Sequence, residues 1–322
     1  MKNHYFAGMG RARFTNPHAP NLRRTFWDVL LWKGGFYNNP SPTLSPPSGF
    51  LYPASPQSLI KGQPYALWIG HSTYLLNAQG LTILTDPVWG AYCSPIPIRS
   101  LRRYNDPPLP LANLPPIDVV LLSHNHYDHL DAKTVAKLHH FHPQIQWIVP
   151  ERLAPWFKKR GILSVCELPR WESVHVKNGK ITAVPAQHFS GRTLWDMNKT
   201  HWNGYVCEIG SKKLYFTGDT GYNSKDFKAI GRHFGPLDLS LIPIGTYVPK
   251  AFMQPVHISP YEAVQIHQDV RSLFSLGMHW NTFHLSDEPH NRPPYDLYLA
   301  MKERQIPFES FLPIDIGTYV NF

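Results

Sequence analysis

Positions 124–129 read His-Asn-His-Tyr-Asp-His, three imidazoles and a carboxylate in six residues at the spacing H-x-H-x-D-H. Imidazole nitrogen and carboxylate oxygen suit zinc and similar divalent ions. Residues 117–122 are apolar β-formers, so the chain reaches the motif as a buried strand. In an extended strand end, residues i and i+2 point the same way, so His124 and His126 can grip one ion. The turn that follows then presents Asp128 and His129 to a second. In a chain with 18 His and 22 Asp plus Glu among 322 residues, chance produces this pattern with a probability of about 0.004. Whatever the fold, it has to return to this turn with further ligands.

The composition permits a large core and excludes several classes. Hydrophobic residues make up 43% of the chain, ordinary for a globular protein of this length. The net charge of +9 and pI of 9.4 favour anionic partners such as phospholipid surfaces, nucleic acid or phosphate esters. No nucleic-acid partner is expected, because there is no appended RNA-grasping module and no basic stripe interleaved with aromatics. Cys93, Cys166 and Cys207 form no C-x-x-C pair and are odd in number, which argues against a disulfide framework and for a reducing, cytoplasmic compartment. The first twenty residues lack a secretory apolar run, and no stretch of about 18 apolar residues occurs. The longest apolar piece, 26–32, is one or two helical turns, suited to packing on the body of the protein or to lying at a membrane surface.

Residues 1–60 are irregular and proline-rich and read as an extended arm packed on the core; 61–322 read as a single domain built around the motif. Strands are expected at 66–69, 74–76 and 81–85. A proline-rich basic excursion spans 92–116. Asp131 is placed to cap a helix running to about 140, followed by a strand at 146–149 and a helix at 151–160. A strand at 181–184 ends near His188. A hairpin of 205–209 and 213–217 turns at Gly210-Ser211 and runs into Gly218-Asp219-Thr220-Gly221. A helix at 225–234 and a strand at 237–242 come next. Ser259-Pro260-Tyr261-Glu262 then carries a complete helix-start signal. A strand at 272–278 leads to His279, and 294–304 form the last long helix. Strands followed by helices, twice over, predict an α/β fold with two β-layers faced by helices, an αββα sandwich.

His188, Asp219 and His279 thus stand at or just past strand ends, as the motif does. Seven donors, His124, His126, Asp128, His129, His188, Asp219 and His279, exceed one tetrahedral zinc and suit two that share a bridge. Here the chain resembles the metallo-β-lactamase superfamily, whose signature elements occur in order: an Asp after an early strand (Asp86), H-x-H-x-D-H, a single His, a bridging Asp and a final His. Asp219 stands where true β-lactamases of the superfamily place a cysteine, which disfavours antibiotic cleavage. Trp68-Ile69-Gly70-His71, Thr85-Asp86-Pro87, the block 192–199, 216–222, 242–247 and 279–283 are similar to the N-acylphosphatidylethanolamine-hydrolysing phospholipases D.

That resemblance, over roughly residues 65–290, implies two Zn2+ ions, with Mn2+ or Fe as alternatives. It assigns His124, His126 and His188 to the first ion, Asp128, His129 and His279 to the second, and Asp219 to the bridge, with Asp86 orienting a ligand. Tyr127 and His257 would contact the phospholipid. Asp128 would pass a proton to the leaving alkoxide, and His257 would orient the phosphate. The implied activity is a metal-dependent phosphodiesterase of the phospholipase D type that releases N-acylethanolamine and phosphatidic acid. It would work peripherally at a membrane surface, with two chains pairing to form the lipid groove. The alternative is a lactonase or other soluble-substrate hydrolase of the same fold.

Overall fold

The structure is a computed structural model of the 322-residue chain and describes residues 12–19, 31–32, 34–37, 45–193 and 195–322. Six strands, β1 (Tyr65–Gly70), β2 (Thr73–Ala78), β3 (Leu81–Thr85), β4 (Val119–Leu121), β5 (Gln146–Val149) and β6 (Val165–Glu167), lie side by side in chain order. The second sheet runs in reverse chain order from β13 (Phe311–Leu312) through β12 (Ser275–Met278), β11 (Leu239–Pro243), β10 (Lys212–Phe216), β9 (Gly204–Ile209) and β8 (Gly179–Val184) to β7 (Ser173–Val176). The last strand, β14 (Tyr319–Asn321), returns to the first sheet and pairs antiparallel with β1.

Side-chain alternation produces the layers. Along β1, Ala66 and Trp68 face the second sheet and join one core with Ile181, Val206, Leu241 and Leu276. Leu67 and Ile69 point the other way and pack with Val135 and Leu138 of helix α1 (Ala132–Phe141) and with Phe157 of α2 (Ala154–Lys158). Beyond the second sheet, Phe227 and Ile230 of α3 (Ser224–Phe234), Val264 and Ile266 of α5 (Pro260–Asp269), and Leu297 and Met301 of α6 (Pro293–Glu303) complete the core. The short α4 (Lys250–Met253) precedes α5. The layers are therefore α, β, β, α, as expected.

The topology gathers strand ends on one edge. β3 and β4 are parallel in the first sheet, and β10, β11 and β12 are parallel in the second. β8 runs in the direction of β10 because both are antiparallel to β9. The carboxyl ends of β3, β4, β8, β10 and β12 consequently deliver Asp86, the His motif, His188, Asp219 and His279.

Several boundaries differ from expectation for identifiable reasons. The helix expected at 151–160 is only Ala154–Lys158, because Arg152 takes a left-handed backbone at φ 65° that no α-helix accepts. The strand expected from 272 begins at Ser275, since Ser272 N instead bonds the His267 carbonyl at the end of α5. The 92–116 excursion includes two 3-10 turns, Arg99–Leu101 and Leu111–Asn113. The cap at Asp131 and the Ser259–Glu262 capping box form as read. Of the helix read at 26–32, all but residues 31 and 32 lie outside the described residues. Cys93, Cys166 and Cys207 are free thiols.

Candidate metal centre

The seven strand-end donors meet in two groups joined by Asp219. In the first, His124 Nε2 lies 2.8 Å from His126 Nδ1, which lies 3.3 Å from His188 Nε2. In the second, Asp128 Oδ2 lies 3.3 Å from His129 Nε2 and 3.5 Å from His279 Nε2. Asp219 Oδ2 approaches His279 Nε2 at 3.0 Å, His129 Nε2 at 3.2 Å and His188 Nε2 at 3.7 Å. Each member of either group offers one potential ligand atom within 4.8 Å of those of the others.

These atoms aim at common points rather than at one another. His129 Nε2, His279 Nε2 and Asp219 Oδ1 are buried without an aligned hydrogen-bond partner, a costly state that a shared cation relieves. The outward nitrogen of four of the five rings is held instead. His129 Nδ1 sits 2.6 Å from Asp86 Oδ2, His124 Nδ1 2.8 Å from Ser123 Oγ, His188 Nδ1 2.8 Å from the Val256 carbonyl and His279 Nδ1 3.1 Å from Thr246 Oγ1. Such outer partners fix the tautomer that leaves the inner nitrogen a lone pair. Asp86 also accepts Ser123 N at 2.7 Å and Ser123 Oγ at 2.5 Å, so one buried carboxylate supports a ring in each group.

Electrostatics separate the two groups. Burial and the neighbouring imidazoles push His124 well below its ordinary range and His126 down to about 3. Burial also lowers His188 to about 4 against the pull of Asp219. These rings are neutral at physiological pH and need release no proton to bind a cation. In the second group burial is outweighed by the carboxylates. Asp219 and Asp128 raise His279 to about 9 and His129 well above its usual range. Asp128 and Asp219 are themselves held well below the usual carboxylate range, against burial, by the imidazole charges. The carboxylate charge that favours a proton on the His129 and His279 rings would equally favour a divalent cation against them. Burial, the negative potential of Asp128 and Asp219 and a nitrogen-rich donor set with a shared carboxylate fit two borderline divalent cations.

Local backbone strain concentrates here. Asp86 (φ 29°), His71 (φ 52°), Thr246 (φ 68°) and His279 (φ 62°) all take positive φ, a cost tolerated at sites the surrounding fold over-determines. Gly218 (φ +60°) lets the turn before Asp219 approach, since a Cβ there would fall 2.6 Å from Ser123 Cβ.

The remaining expected residues sit in different places. His257 joins the cluster, its Nδ1 3.8 Å from Asp219 Oδ2 and its ring 5.1 Å from that of His188. Tyr127 does not; its hydroxyl donates to the Arg192 carbonyl at 3.2 Å, and it lines a cavity of about 360 Å³ with Arg192, Lys133 and Ile96. Sequence reasoning missed His71, whose Nε2 lies 3.0 Å from Asp128 Oδ2 and whose ring is 4.0 Å from that of His279. A lone histidine after β1 has no spacing partner to announce it. Arg192 was missed as well. Its guanidinium covers the Tyr127 ring at 3.9 Å and donates to the Asn125 and Leu130 carbonyls at 2.9 and 2.7 Å, closing the ligand turn at both ends.

The chain is similar to known proteins in sequence and in fold. A family profile described as the beta-lactamase superfamily domain matches residues 82–280. The N-acyl-phosphatidylethanolamine-hydrolyzing phospholipase D 1 of Caenorhabditis elegans is 40% identical over 264 residues, covering 79% of this chain and 74% of that protein. The mitochondrial enzyme of that name from Saccharomyces cerevisiae is 36% identical over 230 residues, 70% of this chain but 49% of the yeast protein, so the chain spans about half of its length. A metallo hydrolase from the archaeon Ignicoccus hospitalis superposes with a TM-score of 0.59 at 19% identity, over 81% of this chain and 98% of that one, a likeness of fold.

Proposed function

The chain belongs to the beta-lactamase superfamily and, within it, to the N-acylphosphatidylethanolamine-hydrolysing phospholipases D, which are metal-dependent hydrolases, and from that premise we propose that it cleaves N-acylphosphatidylethanolamine into N-acylethanolamine and phosphatidic acid. The observation that carries the reading is Asp219 Oδ2, within 3.7 Å of imidazoles from both groups. A single carboxylate shared by two nitrogen-rich groups is the arrangement that a pair of ions about 3.5–4 Å apart requires. When bound, two zinc ions would lower the pKa of a shared water toward ~7 and polarise a phosphoryl oxygen. His124, His126 and His188 would hold one ion, and Asp128, His129 and His279 the other.

The chain's own groups supply the rest. His71, His129, His188, His279 and Asp219 have side chains at most 2% exposed, whereas Asp128 and His257 are 14% and 13% exposed. His126 is part-exposed as well, so substrate would meet the cluster at these three side chains. Asp128, held ionised, can take up the proton that the attacking water gives up and pass it to the leaving ethanolamide oxygen. His257, pushed well below its ordinary range chiefly by burial, stays neutral and can orient the phosphoryl group by a hydrogen bond. Tyr127 borders the neighbouring cavity, where the lipid would lie. The net charge of +9 supports peripheral docking on anionic lipid, and among the described residues no helix is long and apolar enough to cross a membrane.

The experiment is release of N-acylethanolamine from vesicles containing the N-acyl lipid, with Asp219→Asn as the variant. Turnover is expected in the wild type and absent in the variant; undiminished turnover by Asp219→Asn refutes the shared-carboxylate reading. A panel of lactones and bis-p-nitrophenyl phosphate distinguishes the soluble-substrate alternative, and lactone-only activity overturns the assignment of substrate.

A further inference from the structure

Among the described residues of the N-terminal arm, Asn16 reaches the candidate metal centre with its side chain. Residues 16–19 read Asn-Pro-His-Ala, a tight-turn sequence with proline at the second position, and Ala19 N donates to the Asn16 carbonyl at 3.2 Å. The turn sends the Asn16 side chain inward, to 3% exposure, where Nδ2 donates to the backbone carbonyl of His188 at 2.7 Å, across 172 positions of sequence. Among the described residues no backbone amide donates to that carbonyl. The arm is seated independently of this bond. Phe14 N donates to the Asn198 carbonyl at 2.9 Å, and the Phe14 ring lies between the His201 ring at 4.3 Å and the Arg152 guanidinium at 4.3 Å. Asn198 in turn holds Ser190, two residues beyond His188, through Ser190 N at 3.1 Å and the Ser190 carbonyl at 2.8 Å.

We propose that Asn16 is a positioning residue for the first cation group: it holds the peptide that follows His188, and so the direction in which that imidazole points. The inference rests on reading His124, His126 and His188 as a cation site. The His188 ring is fixed at Nδ1 by Val256, and the peptide before it by Gly221 N donating to the Gln187 carbonyl at 2.7 Å. Asn16 supplies the constraint on the other side. Ligand geometry has to be kept within about 0.5 Å and 10–20°, and freeing a buried carbonyl lets the 188–190 peptide rotate to find another donor. Asp128, His129 and His279 form no hydrogen bond, ion pair or ring contact with residues 12–19, so the effect belongs to one ion of the two.

The test uses full-length protein titrated with Co2+ alone, reading the visible absorption of each equivalent and its affinity by chelator competition. Asn16→Asp keeps the volume and removes the donor, Asn16→Ala removes the side chain, and Asn16→Ser retains a shorter donor should alanine not fold. Asp and Ala variants are expected to weaken one Co2+ equivalent by about 10–100-fold and to alter its absorption band, leaving the second equivalent unchanged. The serine variant should fall between. His18→Ala, which alters the same turn but loses only a 3.4 Å contact with Asp226, should bind both ions normally. Wild-type affinity and spectrum for both equivalents in the folded Asn16 variants overturn the proposal, whatever happens to Tm, and so does equal weakening of both. Wild-type protein that takes up no Co2+ overturns instead the reading of the cluster as a cation site.

Discussion

Asp86→Asn changes one atom and forces a choice between stability and metal binding. The Asp86 carboxylate is fully buried and accepts three donors: Ser123 N on Oδ1 at 2.7 Å, and Ser123 Oγ and His129 Nδ1 on Oδ2 at 2.5 and 2.6 Å. An asparagine can place its oxygen toward Ser123 N. Its amide then donates toward His129 Nδ1 and Ser123 Oγ, which reverses the proton on each. His129 takes the tautomer with its proton on Nε2, the nitrogen that faces Asp128 and Asp219. Ser123 Oγ becomes free to donate to His124 Nδ1 at 2.8 Å, moving that ring's proton to Nε2 as well. One ligand lone pair is lost in each group. The opposite orientation saves the tautomers but sets two N–H donors against each other at Ser123 N, leaving a buried donor unsatisfied at about 1–3 kcal/mol. Loss of the charge from the remaining bonds adds about 1 kcal/mol. Competitive zinc titration and urea unfolding of the metal-free protein read the two branches. Zinc affinity is expected to fall about 10–100-fold, equivalent to about 1.4–2.7 kcal/mol, or unfolding free energy to fall by about 2–4 kcal/mol. Wild-type zinc affinity together with a wild-type unfolding midpoint would refute the argument.

Gly218→Ala combines a positive φ with a Cβ that would fall 2.6 Å from Ser123 Cβ and 2.9 Å from the Asn203 carbonyl; a loss of about 2–5 kcal/mol is expected, and an unchanged Tm contradicts it. Arg192→Lys keeps the charge but cannot span the Asn125 and Leu130 carbonyls, so urea unfolding should show a loss of about 1–2 kcal/mol; no loss means the two bonds do not restrain the turn. His267, buried on α5 with Nδ1 2.8 Å from Ser275 Oγ, is lowered by burial from 6.5 to about 4. The unfolded chain therefore binds the extra proton first, so the contribution is complete above about pH 6.5 and is lost as pH falls toward 4, at most about 3 kcal/mol. His267→Gln should flatten the pH dependence of the urea midpoint across that window, and an unaltered slope would assign the acid sensitivity to other groups.

Spacing along the chain was enough to foresee the H-x-H-x-D-H turn, the strand ends bearing His188, Asp219 and His279, the Asp131 and Ser259 caps and the αββα layering. Each of these depends on local backbone direction: period-two alternation states which way a strand residue faces, and a cap needs a donor two or three residues away. His71 on Asp128, Asn16 on the His188 carbonyl, Arg192 across the ligand turn and β14 beside β1 carry no comparable signal, because their partners lie between 57 and 256 positions away and either partner alone reads as an ordinary polar or strand residue. Nor does any spacing say that Asp86 holds rings of both groups, or that Arg152 turns left-handed and shortens α2. Those outcomes arise when two sheets pack face to face and every buried donor has to find an acceptor among whatever segments the packing brings within reach.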